Sequence, residues 1–240
     1  MTSTDMTSPA DKTAPPDRTA PARKRVAILI SGRGSNMQAL VDAARAPDYP
    51  AEIVLVVSNR PQAPGLAWAK AQGLPALALD HTLYENRTHF EGQLQSVLDI
   101  SNIDLVVLAG FMRLMTAPFV ERWRGRMINI HPSLLPAFKG LHTHEQALAA
   151  GVRISGCTVH FVSSEMDAGP IIAQAAVAVR PDDTPEALAQ RVLAAEHRLY
   201  PHALALVARD QARLAGDKVD MQPFGNIEIN QQQPLLSPAG

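Results

Sequence analysis

The sequence predicts an α/β fold, in which a mostly parallel, twisted sheet of about seven strands carries helices on both faces. Short apolar runs, typical of strands buried on both faces, alternate with helical patterns over roughly residues 26–180. Parallel strands require crossover connections, and right-handed crossovers cover a sheet with helices. The 240 residues, 46% of them hydrophobic, are enough for one such domain with a full core.

Each strand and helix is predicted from its own run of side chains. Strands are predicted at 26–30, 53–57, 76–79, 104–108, 127–131, 155–162 and 171–179. Helices are predicted at 37–44, 65–72, 85–100, 117–123, a stretch ending near 151, and 185–210. Beyond 216 the chain is polar and rich in glutamine, which suits a hairpin followed by a loose end.

A glycine-rich turn, Ser31–Asn36, joins the first strand to the first helix. Free backbone N–H groups and the positive end of a helix at such a turn can hold a phosphate. Met37 stands where the dinucleotide-binding fingerprint has its third glycine, and no Gly-Lys-Ser/Thr follows. The turn therefore favours a phosphomonoester, although an ordinary tight turn with a Ser or Asn helix cap remains open.

The segment 129–136 contains the side chains best suited to acyl chemistry. Asn129 and His131 are two residues apart on a predicted strand, so they project from the same face. Pro132 and Pro136 then force the chain to turn. An amide N–H can hold a developing oxyanion and an imidazole can move a proton, although a hydrogen-bonded core pair is the alternative for an isolated Asn-x-His.

Further candidates follow other strands. The apolar segment 109–115 suits the wall of a pocket for a flat aromatic ligand, and equally a packed crossover. Arg87 could reach an anionic ligand or remain a solvated surface residue. His142 and His144 would not share a helical face, which disfavours a metal pair. Since ligands bind beyond the carboxyl ends of parallel strands, the turn, the segment and the Asn129/His131 pair should line one edge of the sheet.

Composition limits the classes of partner. A net charge of −1 gives no reason to expect nucleic acid. The single Cys157 excludes a disulfide framework and a multi-cysteine zinc site, and fits a reducing cytoplasm. No apolar stretch approaches bilayer length. We expect a disordered tail over residues 1–24, one folded domain over 25–215, and a C-terminal extension over 216–240.

From about residue 26 to 210, the chain resembles the phosphoribosylglycinamide formyltransferase family, folate-dependent enzymes of purine synthesis with a Rossmann-like fold. Several long motifs in the same order carry this resemblance. They are Ser31-Gly-x-Gly-Ser-Asn36, Leu108-Ala-Gly-Phe-Met-Arg113, Asn129-Ile-His-Pro-Ser-Leu-Leu-Pro136, Gly140-Leu-His-Thr-His144, Thr158-Val-His-Phe161 and Asp167-x-Gly-Pro170.

The resemblance implies a formyl transfer from 10-formyltetrahydrofolate, as co-substrate, to the amine of 5-phosphoribosylglycinamide, with neither a metal nor a nucleotide. It implies site residues in three groups. The catalytic trio is Asn129, His131 and Asp167; the ribosyl-phosphate site is Gly34, Ser35, Asn36 and Glu196; the folate site is Arg87, Met112, Arg113, Leu114 and Met115, with Asn129 and Asp167. The family's Asp-Gly-Gly-Pro loop has Ala168 here, which questions the backbone angle at that position.

In the mechanism so implied, the amine attacks the formyl carbon, and Asn129 with a protonated His131 stabilises the oxyanion. His131 then protonates the departing folate nitrogen, and Asp167 favours the imidazolium and relays a proton through water. We expect a cytoplasmic enzyme with small-molecule substrates, acting as a monomer or homodimer. The alternatives are a 10-formyltetrahydrofolate hydrolase or another formyl-transferring relative and, in another class, a non-catalytic phosphometabolite-binding module.

Overall fold

In the computed structural model, which describes residues 22–222, a seven-stranded sheet forms the centre of the molecule. The predictions for residues 1–21 and 223–240 lie outside the described residues. The strands are β1 (Lys24–Ile30), β2 (Ala51–Ser58), β3 (Ala76–Ala78), β4 (Leu105–Leu108), β5 (Met127–His131), β6 (Ile154–Phe161) and β7 (Ile171–Ala178). Their spatial order is β3-β2-β1-β4-β5-β6-β7.

Five neighbouring strands, from β3 to β5, are parallel, whereas β6 runs antiparallel to both β5 and β7. The predicted mostly parallel α/β fold is therefore confirmed. The antiparallel step matters for the site, because Phe161 at the end of β6 pairs with Ile128 and the loop between β6 and β7 therefore leaves the sheet beside β5.

Between residues 22 and 222, six α-helices cover the sheet. They are α1 (Ser35–Ala44), α2 (Pro64–Ala71), α3 (Arg87–Ile100), α4 (Ala117–Arg122), α5 (Thr143–Ala149) and α6 (Pro185–Ala208), with a short 3₁₀ turn at His81–Leu83. Apolar side chains of α1, α2 and α6 form one core with one face of the sheet, and those of α3 and α4 form a second core on the other face. Alternate residues of β1, such as Ile28 and Leu29, face the two cores and are fully buried.

Helix α6 is the longest and connects the sheet to the predicted site. Thr184 caps it by accepting a hydrogen bond from the Ala187 N–H at 3.2 Å, and Pro185 occupies its first turn. The buried Tyr200 hydroxyl of α6 lies 2.9 Å from the Leu108 carbonyl oxygen of β4 and 3.2 Å from the Ile128 carbonyl oxygen of β5. This helix therefore contacts the backbone at the carboxyl end of β4 and near the start of β5.

After α6 the chain forms a two-stranded hairpin, β8 (Ala212–Ala215) and β9 (Lys218–Met221). This hairpin spans the predicted boundary between 215 and 216, since Ala212 pairs with Met221. The first residues of the predicted extension are thus paired with the last residues of the predicted domain. Between residues 22 and 222, no helix combines the length and the apolar character needed to cross a bilayer.

Candidate active site

The end of β5 brings Asn129 and His131 to the carboxyl edge of the parallel strands. The His131 ring is almost fully buried, and its Nδ1 lies 3.4 Å from Asp167 Oδ2. Asp167 belongs to the loop between β6 and β7, and the Gly140 N–H donates to its Oδ2 at 2.9 Å. His131 and Asp167, which lie in different parts of the sequence, therefore meet at the end of β5.

Both ring nitrogens of His131 face hydrogen-bond acceptors. Nε2 lies 2.9 Å from the Phe138 carbonyl oxygen, and Nδ1 faces the Asp167 carboxylate. A neutral imidazole can donate through only one nitrogen, whereas an imidazolium can donate to both acceptors. The Phe138 contact requires a proton on Nε2, and Nδ1 faces the Asp167 carboxylate across 3.4 Å.

His160 of β6 orients the Asn129 amide, and sequence reasoning did not name it as a site residue. The two residues are opposite each other in the β5–β6 register, with Asn129 Nδ2 3.2 Å from His160 Nε2. His160 Nδ1 lies 2.9 Å from the Phe161 carbonyl oxygen, so Nδ1 carries the proton and Nε2 accepts. Burial lowers the pKa of His160, which favours this neutral form. The signal in sequence was a histidine within a predicted strand, in the motif Thr158-Val-His-Phe161.

The loop that carries Asp167 accommodates Ala168. Asp167 itself has a left-handed backbone, with φ of 50°, whereas Ala168 is not among the residues with positive φ. Gly169 is the constrained position, because a Cβ there would lie 1.8 Å from the Phe161 carbonyl oxygen. An alanine at 168 is therefore compatible with the backbone that places the carboxylate.

At the glycine-rich turn, Gly34 has φ of 72° and forms the N-cap of α1 without a side-chain cap. The Ser or Asn cap considered from sequence is thus not formed, and the first N–H groups of α1 stay available for an anion. Asn36 Nδ2 donates to Glu196 Oε2 of α6 at 2.7 Å. Burial raises the pKa of Glu196, while this bond from Asn36 acts in the opposite direction. The predicted phosphate-site residues therefore lie close together: Gly34, Ser35, Asn36 and Glu196.

The apolar segment (residues 109–115) leaves β4 at the same edge of the sheet and has no regular secondary structure. Its Met112 and Leu114 side chains are 63% and 54% exposed. The Arg113 guanidinium lies over the Phe90 ring of α3, 5.0 Å from the ring centre. Arg87, the exposed first residue of α3, is three positions before Phe90 and so lies on the same side of that helix. Met115 packs against the core beneath.

Two further observations on the described residues concern a cavity and the geometry for metal binding. A cavity of about 430 Å³ lies at the amino ends of β1, β4 and β5 and contains none of the predicted site residues; it is lined by cationic and acidic side chains, including Lys24, Asp104, Arg126 and Arg213. Within residues 22–222, no group of three or more His, Cys, Asp or Glu side chains has the geometry to hold a metal ion.

Comparison with known proteins gives consistent matches. Residues 24–204 match the family described as formyl transferase. Over 189 residues, the chain is 40% identical to phosphoribosylglycinamide formyltransferase of Escherichia coli, covering 79% of this chain and 89% of that protein. It is 52% identical over 192 residues to the trifunctional purine biosynthetic protein adenosine-3 of Bos taurus. That alignment covers 80% of this chain and 19% of the bovine protein, so the chain spans about a fifth of its length.

A solved structure agrees with the sequence matches. The glycinamide ribonucleotide transformylase 1 of Symbiobacterium toebii superposes with a TM-score of 0.81 at 45% sequence identity. The superposition covers 84% of this chain and 95% of that structure. The likeness therefore extends over most of both chains.

Proposed function

Because the chain belongs to the formyl transferase family, we propose that it is a phosphoribosylglycinamide formyltransferase. It transfers the formyl group of 10-formyltetrahydrofolate to the amine of 5-phosphoribosylglycinamide, a step of de novo purine biosynthesis that leads to IMP. Folate brings the activated one-carbon unit, so the chain's own residues supply position and polarity, and no metal takes part in the proposal.

One observation carries the proposal: the Asn129 amide, the His131 imidazole and the Asp167 carboxylate lie together at the carboxyl edge of the sheet. When the amine attacks the formyl carbon, negative charge develops on the formyl oxygen and positive charge on the amine. The N–H of Asn129 that His160 does not accept can donate to the oxyanion, and a cationic His131 stabilises it electrostatically. Asp167 balances the charge of that imidazolium and can receive the ammonium proton through water.

The contacts of His131 bear on how it takes part in proton transfer. Its two nitrogens face Phe138 and Asp167, so donating a proton to the departing folate nitrogen requires one of these contacts to open. The Nδ1 contact of 3.4 Å is the longer of the two. We therefore assign the transferred proton to Nδ1, on the Asp167 side.

The substrates are assigned to the two sides of the trio. The phosphate of the amine substrate binds at Gly34, Ser35 and Asn36, where the start of α1 has free N–H groups, and Glu196 contacts the sugar. The folate binds along Met112, Arg113, Leu114 and Met115, with Arg87 toward its anionic end and with Asn129 and Asp167 at its reactive end. The protein acts on small molecules, in the cytoplasm, as a monomer or homodimer.

The test is a coupled pair of absorbance assays on the purified protein, with a formylated folate analogue in the presence and absence of 5-phosphoribosylglycinamide. We expect folate turnover only when the amine is present. Turnover that does not need the amine would instead indicate a hydrolase, and tight binding without turnover would indicate a binding module.

Substitutions in the trio test the assigned chemistry. We expect Asn129→Ala to lower kcat by a factor on the order of 10²–10³, since it removes one oxyanion donor. Asp167→Ala should also collapse turnover while the far-ultraviolet circular dichroism stays unchanged. Gly92→Ala is the matched control, because Gly92 lies in α3 with no atom within 4 Å of an added Cβ. Full activity in folded His131→Ala protein would contradict the assignment.

A further inference from the structure

The apolar segment is attached to the end of β1 by backbone bonds that continue the sheet. Strands β1 and β4 are parallel neighbours, and the Ala109 N–H donates to the Leu29 carbonyl oxygen at 2.9 Å. One step further, the Ser31 N–H donates to the Gly110 carbonyl oxygen at 3.1 Å. The ladder between the two strands therefore extends to the point where the glycine-rich turn begins.

Beyond that point a side chain replaces the backbone as acceptor. The Met112 N–H donates to Ser31 Oγ at 2.8 Å, and the Ser31 hydroxyl donates to Asn59 Oδ1 at 2.6 Å. Ser31 is 5% exposed and Asn59 is 2% exposed, so water does not compete for these bonds. The hydroxyl has one donor and one acceptor partner, which fixes both its rotamer and the position of Met112.

The other end of the segment has a separate anchor. The Thr116 N–H donates to Glu91 Oε1 of α3 at 2.7 Å, and the Thr116 hydroxyl also bonds to the Glu91 carboxylate. Between the two anchors are residues 113–115, and only Arg113, over Phe90, has a directional contact there. The path of the segment therefore depends on Ser31 at its start and on Glu91 at its end.

From this arrangement we propose that Ser31 is a positioning residue, which sets the folate-binding wall by holding Met112. The inference rests on the proposed function, because it assigns the segment to the folate. Ser31 does not touch either substrate in this account. It acts through the Met112 backbone, so its loss leaves the chemistry of the trio and the phosphate contacts of α1 in place and loosens only the folate side.

The experiment compares steady-state kinetics of wild type, Ser31→Ala and a control, Tyr49→Phe. Both substitutions delete one hydroxyl oxygen. The Tyr49 hydroxyl donates to the Pro201 carbonyl oxygen at 2.7 Å, between the chain after α1 and helix α6, and has no contact with the segment. Melting temperatures of all three proteins report the purely structural cost of each deletion.

We expect Ser31→Ala to raise the KM for 10-formyltetrahydrofolate roughly three- to tenfold, as for the loss of one buried hydrogen bond. The KM for 5-phosphoribosylglycinamide should stay unchanged, and Tyr49→Phe should change neither. If Ser31→Ala does not fold, Ser31→Cys takes its place, since a thiol of similar size is a weak acceptor.

Two results would overturn the inference while leaving the proposed function intact. One is an unchanged folate KM in an active, folded Ser31 variant. The other is an equal rise in both KM values, which indicates a general loosening of the site. A wild-type protein without formyl transfer would instead overturn the proposed function, and this inference with it.

Discussion

At the scale of single residues, the site depends on how each polar atom is paired. Asn129 and His131 were predicted to share a face because their spacing on a strand requires it. Asp167 was named only from the resemblance, since no local pattern shows which acid of a turn-rich loop returns to β5. His160 was missed because its role depends on the antiparallel register of β5 and β6, which is a property of the assembled sheet.

The pairing of Asn129 with His160 yields a prediction for catalysis. His160→Phe removes the acceptor for the Asn129 N–H and should lower kcat by roughly tenfold or more, the equivalent of one buried donor left unpaired. His160→Gln keeps an acceptor oxygen and should retain more activity. Stopped-flow measurement of single-turnover rates for both variants checks this order. Equal rates for the two variants would show that the amide needs no acceptor from position 160.

At the scale of secondary-structure elements, the glycine-rich turn is shaped by its neighbour α2. The Gly65 N–H donates to the Gly32 carbonyl oxygen at 3.1 Å. A Cβ at Gly65 would lie 2.6 Å from Ile30 Cδ1 and 3.0 Å from the Gly32 carbonyl oxygen. The helix can approach the turn this closely only because residue 65 has no side chain.

We expect Gly65→Ala to displace the turn and to raise the KM for the phosphorylated amine, with the folate KM less affected. Gly92→Ala serves as the control. It places the same methyl group in open space on α3 and should stabilise the fold by up to about 1 kcal/mol. Isothermal titration with 5-phosphoribosylglycinamide, alongside thermal melts, separates the two effects. Unaltered affinity in Gly65→Ala would show that α2 does not shape the turn.

Helix α6 makes a second contribution at this scale, through the Tyr200 hydroxyl between β4 and β5. Tyr200→Phe leaves the Leu108 and Ile128 carbonyl oxygens without this donor in a fully buried place. We expect a loss of about 1–3 kcal/mol in the free energy of unfolding. Tyr49→Phe, which removes a half-buried hydroxyl, should cost less. Urea denaturation of both variants gives the comparison, and equal midpoints would contradict it.

The elements themselves were largely predictable because the buried strands are continuous apolar runs. The start of α3 differs from the prediction by two residues, since Asn86 forms the N-cap by accepting from the His89 N–H at 3.0 Å. The Tyr200 contact could not be predicted, because an apolar helix face gives no sign that one hydroxyl bridges two strands.

At the scale of the whole molecule, one buried and two partly buried histidines make the free energy of unfolding depend on pH. Burial lowers the pKa of His144, His160 and His197 in the folded protein. In the unfolded chain they take up protons near pH 6.5, so below that pH the unfolded state binds more protons than the folded state. The neutral form of these histidines therefore supports the full free energy of unfolding above about pH 6.5. This free energy decreases as the pH falls from about 6.5 toward their folded pKa values.

Glu196 has the opposite sign, because burial raises its pKa and the folded state then holds its proton more readily. Its contribution is present at low pH and is lost as pH rises through the folded pKa. We expect the three histidines to dominate between pH 7.5 and 5.5, so the urea midpoint should fall over that range. His160→Gln should flatten this slope and Glu196→Gln should steepen it. If the urea midpoint of the wild type instead rises on acidification, the effect of the Glu196 carboxyl is larger than that of the three histidines.

The segment 138–140 contacts the trio through main-chain groups, while its Lys139 side chain pairs with Glu165 of the loop that carries Asp167. The Phe138 carbonyl oxygen holds His131, the Gly140 N–H holds Asp167, and both residues have left-handed backbones, with φ of 54° and 81°. Phe138→Ala would keep the carbonyl group that contacts His131, whereas Gly140→Ala would strain a backbone with φ of 81°. A tolerated Phe138→Ala would therefore be no sign that the stretch is dispensable, and backbone ester substitution at Gly140 tests the contact with Asp167 directly.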